Sequence, residues 1–160
     1  ILQKKIKIND TITYVDLYNK MSLLGGALLE QTILKINRNR KNILLMQKNE
    51  KEYPKAPKII KNDYIILWSN SAIYIHNQIR ALNYKGAYAK FNNRRIKFFE
   101  TYFNLEYNDL SNGEFILHND EMLIGTGKGV LIVKRVQLES KYKITAKEFY
   151  NSNHLKGKFE

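Results

Sequence analysis

From Gly86 onward the chain is interrupted by turn formers every few residues, and that spacing constrains the fold more than any other feature. AYAKF and RRIKFFETYF flank Asn92-Asn93, a pair that tolerates the left-handed backbone of a tight hairpin. GEFILHNDEMLIGTGKGVLIVKRVQLE then supplies three further short runs, broken at residues 118–120 and 125–129. Runs this short, rich in β-branched and aromatic residues, read as strands. Five of them after a helix predict a small antiparallel barrel or curled sheet.

Upstream of Gly86 the pattern is different. ILQKKIKI reads as a short strand, and a helix follows from about Thr13. Thr13 and Asp16 have the spacing of a capping box, with Asp in place of the usual Glu. Leu17, Met21, Leu24 and Leu28 recur at 4-3-4 spacing, a single apolar stripe that reads as core rather than as a cofactor site. Gly25 and Gly26 lie inside it, each at about 1 kcal/mol relative to alanine, which points to close packing of another element. Between Lys35 and Lys61 the sequence holds nine lysines and arginines against two glutamates, together with both prolines, Pro54 and Pro57. Proline removes a backbone donor and keeps the residue before it extended, so this is a basic extended linker. A second helix is expected from about Ser71 to Leu82, capped by Ser69 or Asn70, with Ala72, Ile75, Ile79 and Leu82 on its buried face. TAKEFYNSNHLKGKFE ends the chain with a short helix capped by Thr145, Glu148 standing at its third position.

The 160 residues suffice for one domain, or for a small domain with a leading element. No cysteine is present, which removes disulfides, thiolate metal sites and thiol nucleophiles. Neither a signal peptide nor a membrane span is visible, so a soluble cytoplasmic chain is expected, and Ile1 in place of a methionine suggests a piece of something longer. The net charge of +12 attracts polyanions, with nucleic acid ahead of acidic membrane. Lysine-rich composition also follows from AT-rich coding without any partner.

Three groups of residues invite a chemical reading. His118-Asn119-Asp120 has acid–base side chains, but three consecutive residues at a hairpin tip diverge into water, and Asn and Asp are the turn formers there. GTGKG at residues 125–129 lacks both the spacing of a phosphate loop and the helix that must follow it, so it reads as a glycine hairpin. His76 and Arg80 share a helix face at i,i+4 and could hold a phosphate or a carboxylate. They cannot form a metal site, since arginine does not ligate and no third ligand shares the spacing. The plainer reading is a helix flank with a satisfied arginine. With no nucleophile paired to a base, the residues describe a basic binding domain.

Four segments, in order, resemble the C-terminal part of the methionyl-tRNA formyltransferase family. DTITYVDLYNKMSLLGGALL resembles the last helix of the catalytic domain, and KAPKIIKNDYIILW resembles the linker and the start of the C-terminal domain. NSAIYIHNQIRALN is similar to a helix ending in an IRA motif, and GTGKGVLIVKRVQLESKYKITAKEF resembles the last strands. Two departures stand out: Leu67 replaces the aspartate before Trp68, and Asn83-Tyr84-Lys85-Gly86-Ala87 is one residue shorter than the family's turn and lacks its prolines.

The resemblance implies an α+β chain, mainly β: a small antiparallel OB-like barrel preceded by a long helix and an extended linker. Residues 1–37 would be a strand–helix remnant of a Rossmann-like catalytic domain, 38–61 the basic linker and 62–160 the barrel. It implies formylation of initiator methionyl-tRNA by the whole enzyme with 10-formyltetrahydrofolate as donor. The catalytic Asn, His and Asp would lie upstream, so this chain alone is expected to be inactive, to carry no cofactor or metal, and to partner the catalytic domain and the tRNA. Lys58 and Lys61 match lysines of the family's KAPK segment and are the first candidates for tRNA contact. Lys55, Arg94, Arg95, Lys141 and Lys143 follow on charge and exposure, and Arg80 as the arginine of the IRA motif. His76 has neither partner nor matching role. The alternative is the C-terminal domain of a sugar-nucleotide N-formyltransferase, a packing and dimerisation module without tRNA binding. In either case the apolar helix would make the fragment dimerise.

Overall fold

Thr13 starts the first helix as its spacing suggests. In the computed structural model, which describes residues 1–38, 55–153 and 157–160, the Thr13 hydroxyl and amide donate to Asp16 Oδ2 (2.6 and 3.0 Å). Asp16 N donates back to Thr13 Oγ1 (3.3 Å), so the shorter acid closes the capping box. The Thr13 hydroxyl, and then its amide, hold the Asp16 carboxyl below its ordinary value. Helix α1 (Tyr14–Arg38) follows over 25 residues.

The chain divides into two compact units, residues 1–59 and 60–160. Within the first, α1 buries none of its side chains. Leu17, Leu24 and Leu28 are only half-buried and Met21 is exposed, so the expected core stripe is not buried among the described residues. The close packing expected at Gly25 and Gly26 is likewise missing, since nothing lies within 4 Å of a Cβ added at either. Residues 1–8 do not form the expected strand. A strand needs a neighbour for its backbone donors, and no described segment pairs there. Of the expected linker, residues 39–54 lie outside the described residues. Lys55, Pro57 and Lys58 stand exposed in a stretch without regular structure.

The second unit opens with a 3₁₀ turn (Lys61–Tyr64) and helix α2 (Ala72–Ala81). The cap is Ser71, not Ser69 or Asn70: its hydroxyl accepts from Tyr74 N (3.4 Å). The segment just before it carries the docked glycine loop, with Gly127 N donating to Trp68 O and Asn70 O at 2.9 Å each. A Cβ at Gly127 would sit 2.0 Å from Ser69 O, so only glycine permits this docking. Ala72, Ile75, Ile79 and Leu82 form the buried face of α2 as expected.

Nine strands occur among the described residues, where five were expected. Strands β1 (Ala87–Phe91), β2 (Arg94–Phe98), β7 (Arg135–Leu138) and β8 (Lys143–Thr145) form one antiparallel sheet in that order. Strands β3 (Thr101–Asn104), β6 (Val130–Val133), β5 (Glu121–Gly125), β4 (Glu114–His118) and β9 (Gly157–Lys158) form the other. The excess over five has two sources. The runs read as single strands bend once each, between β2 and β3 and at Lys134 between β6 and β7. The ladder continues through the bend, with Lys134 N donating to Glu100 O (2.8 Å) and Phe99 N to Arg135 O (3.1 Å). Strands β8 and β9 are too short to show a period. The helix-plus-antiparallel class is as the sequence suggests, but the described strands make two sheets rather than a closed barrel ladder.

The hairpins follow their turn residues. Asn92 and Asn93 have φ of 49° and 63°, and Asn119 and Asp120 have 48° and 66°, the left-handed pair that a two-residue turn needs. Thr145 caps helix α3 (Ala146–Asn153), its amide and hydroxyl donating to Glu148 Oε2 (2.7 and 2.9 Å). The core between the sheets has an aromatic centre among aliphatic side chains. Phe159 is buried with its ring 4.7 Å from Phe115, 5.3 Å from Phe98, 5.5 Å from Phe91 and 5.7 Å from Trp68 between centroids. Phe159→Ala is expected to lower the unfolding free energy by about 3–5 kcal/mol, read from the urea midpoint of the second unit's transition.

The capping bonds of Glu148 generate a pH prediction. The Thr145 amide, then its hydroxyl, lower the Glu148 pKa below its ordinary 4.5. The stabilisation is therefore complete above the ordinary value and disappears as pH falls through the depressed one. The Thr145 amide resonance should titrate with a midpoint below 4.5, and Glu148→Gln should abolish that titration.

Candidate nucleic-acid interface

The four-stranded sheet has one face in the core and one face out. Inward go Ala87, Ala89, Phe91, Ile96, Phe98 and Val136, all buried. Strand alternation sends Tyr88, Lys90, Arg95, Lys97, Arg135, Gln137 and Lys143 to the other side. The register lines up Tyr88, Lys97, Gln137 and Lys143 as direct neighbours in a row across all four strands. Two cations lie over aromatic rings, the Arg95 guanidinium 5.0 Å from the Tyr88 centroid and Lys143 Nζ 3.7 Å from that of Phe99.

One end of this face is concave. A cavity of about 420 Å³ is lined there by Lys61, Tyr64, Lys85, Gly86, Tyr88, Arg95, Lys97 and Gln137, with Leu138, Glu139 and Ser140 from the β7–β8 turn. The 3₁₀ turn that brings Lys61 and Tyr64 is held to α2 by Gln78 Nε2, which donates to Asp63 O (2.8 Å) and Ile65 O (2.9 Å). Lys85 and Gly86 come from the shortened turn after α2. There the missing prolines are replaced by a closure on Leu82 O, which accepts from Gly86 N (2.8 Å) and Lys85 N (3.1 Å). Gly86 has φ of 83°, and a Cβ on it would meet the Phe99 ring at 2.8 Å. The Lys85 ammonium sits 6.0 Å from the Tyr64 ring and 5.5 Å from that of Tyr84. Glu139 is the single acid on the lining, and no ion pair among the described residues engages Lys61, Lys85, Arg95 or Lys97.

The expected tRNA-contact residues distribute unevenly. Lys61 and Arg95 meet in the cavity, Lys143 lies on the same sheet face, and Lys141 occupies the adjoining turn, its carbonyl accepting from Gln137 Nε2 (2.7 Å). Arg94 starts β2 but lines a separate depression with Phe91, Asn92, Ile96, Leu138 and Phe149. Lys55 and Lys58 are exposed in the first unit. Arg80 is half-buried on α2, its Nε donating to Asn77 Oδ1 (2.8 Å). His76 does have a partner, contrary to the sequence reading. It is buried, with Nδ1 3.0 Å from Thr101 Oγ1 and its ring against Phe103. The bond spans from α2 to β3, a separation no local pattern reveals. His118 and Asn119 stand exposed in their hairpin, and the glycine loop at 126–129 docks on the chain entering α2.

Sequence reasoning missed Lys85, Lys97, Tyr64 and Tyr88. A usable signal was present: Arg95 and Lys97 are two apart on one strand, so they share a face, and Tyr88 is their counterpart once the Asn92-Asn93 turn sets the register. Among the described residues, no group of three or more His, Asp or Glu side chains could hold a metal, and no helix is long and apolar enough to cross a membrane.

The second unit is thus a helix lying on paired antiparallel sheets, with an outward basic face. Residues 58–154 match the model of the formyl transferase C-terminal domain, and the chain belongs to that family. It is 35% identical to the methionyl-tRNA formyltransferase of Thermodesulfovibrio yellowstonii over 156 residues, which covers 97% of this chain and 49% of that protein. The Rickettsia felis methionyl-tRNA formyltransferase is 31% identical over 157 residues, 97% of this chain and 50% of its own length. The chain thus spans about half the length of these curated relatives. Among solved structures, WlaRD, a sugar 3N-formyl transferase studied with dTDP and 5-N-formyl-THF, shares the fold with a TM-score of 0.55 at 23% identity, covering 84% of this chain and 47% of that one.

Gly86→Ala is expected to force the Phe99 ring aside and to destabilise the second unit by about 1–3 kcal/mol, measured by thermal unfolding.

Proposed function

We propose that this chain is the C-terminal, tRNA-holding portion of a methionyl-tRNA formyltransferase. The observation that carries this reading is the outward sheet face, where cations and rings line a cavity with a single acid. The 97% coverage by methionyl-tRNA formyltransferase relatives supports the choice of RNA. In the whole protein the formyl donor would be 10-formyltetrahydrofolate, the catalytic Asn, His and Asp would belong to the other half, and the work would be translation initiation in the cytoplasm. The part played here is electrostatic. Lys61, Arg95, Lys97 and Lys143 displace counterions condensed on the tRNA backbone, which holds the acceptor arm without reading its sequence. Lys55 and Lys58 extend the contact from the linker, and Lys141, Arg94 and Arg80 serve as flanking phosphate contacts.

Affinity of the chain for initiator tRNA, titrated from low to high salt, tests this. The log–log plot should fall steeply, and Lys61→Ala, Lys97→Ala and Lys58→Ala should each reduce the slope by about one. Lys147→Ala serves as control, because Asp120 already pairs with that ammonium (2.9 Å). A flat salt response, or an equal loss for Lys147→Ala, sinks the assignment. It would favour the second reading, a packing and dimerisation module of a sugar formyltransferase, which the fold shared with the sugar 3N-formyl transferase WlaRD supports.

A further inference from the structure

Charge alone does not account for the concave end of the face. Phosphate contact needs exposed cations, and a flat lysine-bearing sheet would suffice. Here the cations surround a cavity of about 420 Å³ whose lining includes the rings of Tyr64 and Tyr88. Two residues past Ser140, in the turn that forms one rim, Tyr142 is 92% exposed between Lys141 and Lys143. An aromatic ring left in water at that level buries nothing in the folded chain, so its apolar faces are available only to a ligand. Rings interleaved with cations suit a ligand that is flat, aromatic and anionic at once. An acyl chain would meet too many charges and an acidic peptide would leave the rings unused. A nucleotide satisfies both parts, its base against tyrosine and its phosphate on lysine or arginine. Gln137 adds a polar edge: its Nε2 is fixed on Lys141 O, which leaves Oε1 to accept from a base amine.

We infer that this cavity takes one unpaired nucleotide of an RNA strand. The base stacks against Tyr88 and Tyr64 with Tyr142 closing from the rim, and the flanking phosphates lie on Lys61, Lys85, Arg95 and Lys97. The inference deepens the proposed function and rests on it for the identity of the RNA. It assigns to this face a selectivity that counterion release lacks, namely preference for a strand with a base free to leave the stack over a fully paired helix.

The test compares two probes on the full chain at low salt, a single-stranded oligoadenylate of about six nucleotides and a fully paired RNA duplex, beside the tRNA titration. Tyr88→Leu and Tyr142→Ala should each weaken oligoadenylate binding about tenfold and leave duplex binding unchanged. Tyr88→Phe should retain it. Tyr102→Leu, on the other sheet, should change neither. Tyr142 is so exposed that its removal cannot unfold the chain, which keeps the result interpretable if Tyr88→Leu is unstable. If tRNA binds with the expected salt slope but Tyr88→Leu and Tyr142→Ala bind oligoadenylate like Tyr102→Leu, the nucleotide site is wrong and the tRNA reading stands. If oligoadenylate binding depends on these tyrosines while tRNA is not retained, the cavity assignment stands and the tRNA reading fails.

Discussion

The ring of Phe159 is the contact on which the second unit depends. It touches Phe91 and Phe98 from one sheet, Phe115 from the other, and Trp68 from the segment ahead of α2. Each buried ring of this kind removes a large apolar area from water, and the edge-to-face pair with Phe98 adds about 0.5–1.5 kcal/mol. Its backbone position is shared as tightly. Strand β9 pairs with β4, while Glu160 exchanges two backbone bonds with Lys90 on β1 (2.9 and 3.3 Å). Gly157 lacks the Cβ that would strike Phe91 at 2.7 Å. Four residues therefore join the edges of two sheets and fill the space between them.

That arrangement decides which side of the four-stranded sheet meets solvent. With Ala89, Phe91, Ile96 and Phe98 committed inward, alternation leaves Arg95, Lys97 and Lys143 no choice but the outer face. Cations so placed repel one another, and rings soften part of that repulsion through cation–π contacts at Tyr88 and Phe99. A basic face with few compensating carboxylates is an electrostatic cost to the free protein, and a polyanion relieves it on binding.

What could be read from the residues divides along physical lines. Local rules worked where the cause is local: Thr13 and Thr145 cap their helices, Asn92-Asn93 turns its hairpin, and the face of α2 lies where its period puts it. They failed where the cause is distant. Ser71 takes the cap beside a glycine loop docked from much later in the chain, where Gly127 N donates to Trp68 O and Asn70 O, and His76 meets Thr101 across the fold. The stripe of α1 shows the converse. Its period announces burial, yet none of its residues is buried among the described ones, since periodicity states that a face is apolar without saying what lies against it. Half of the cavity was legible as charge. Its other half came from strand register for Tyr88 and Lys97, and from the tertiary placement of the 3₁₀ turn and the turn after α2 for Tyr64 and Lys85.

The position of Phe159 has a consequence for how the unit assembles. It packs on Trp68, which is 159 − 68 = 91 residues earlier, so the core is closed by contacts of large sequence separation. High contact order slows folding, because the loop must be closed before the contact rewards it. Until residues 157–160 arrive, the outer edges of β1 and β4 keep unpaired backbone groups, the situation in which sheets recruit foreign strands. Seating Phe159 thus completes two sheet edges and the core between them with the same four residues.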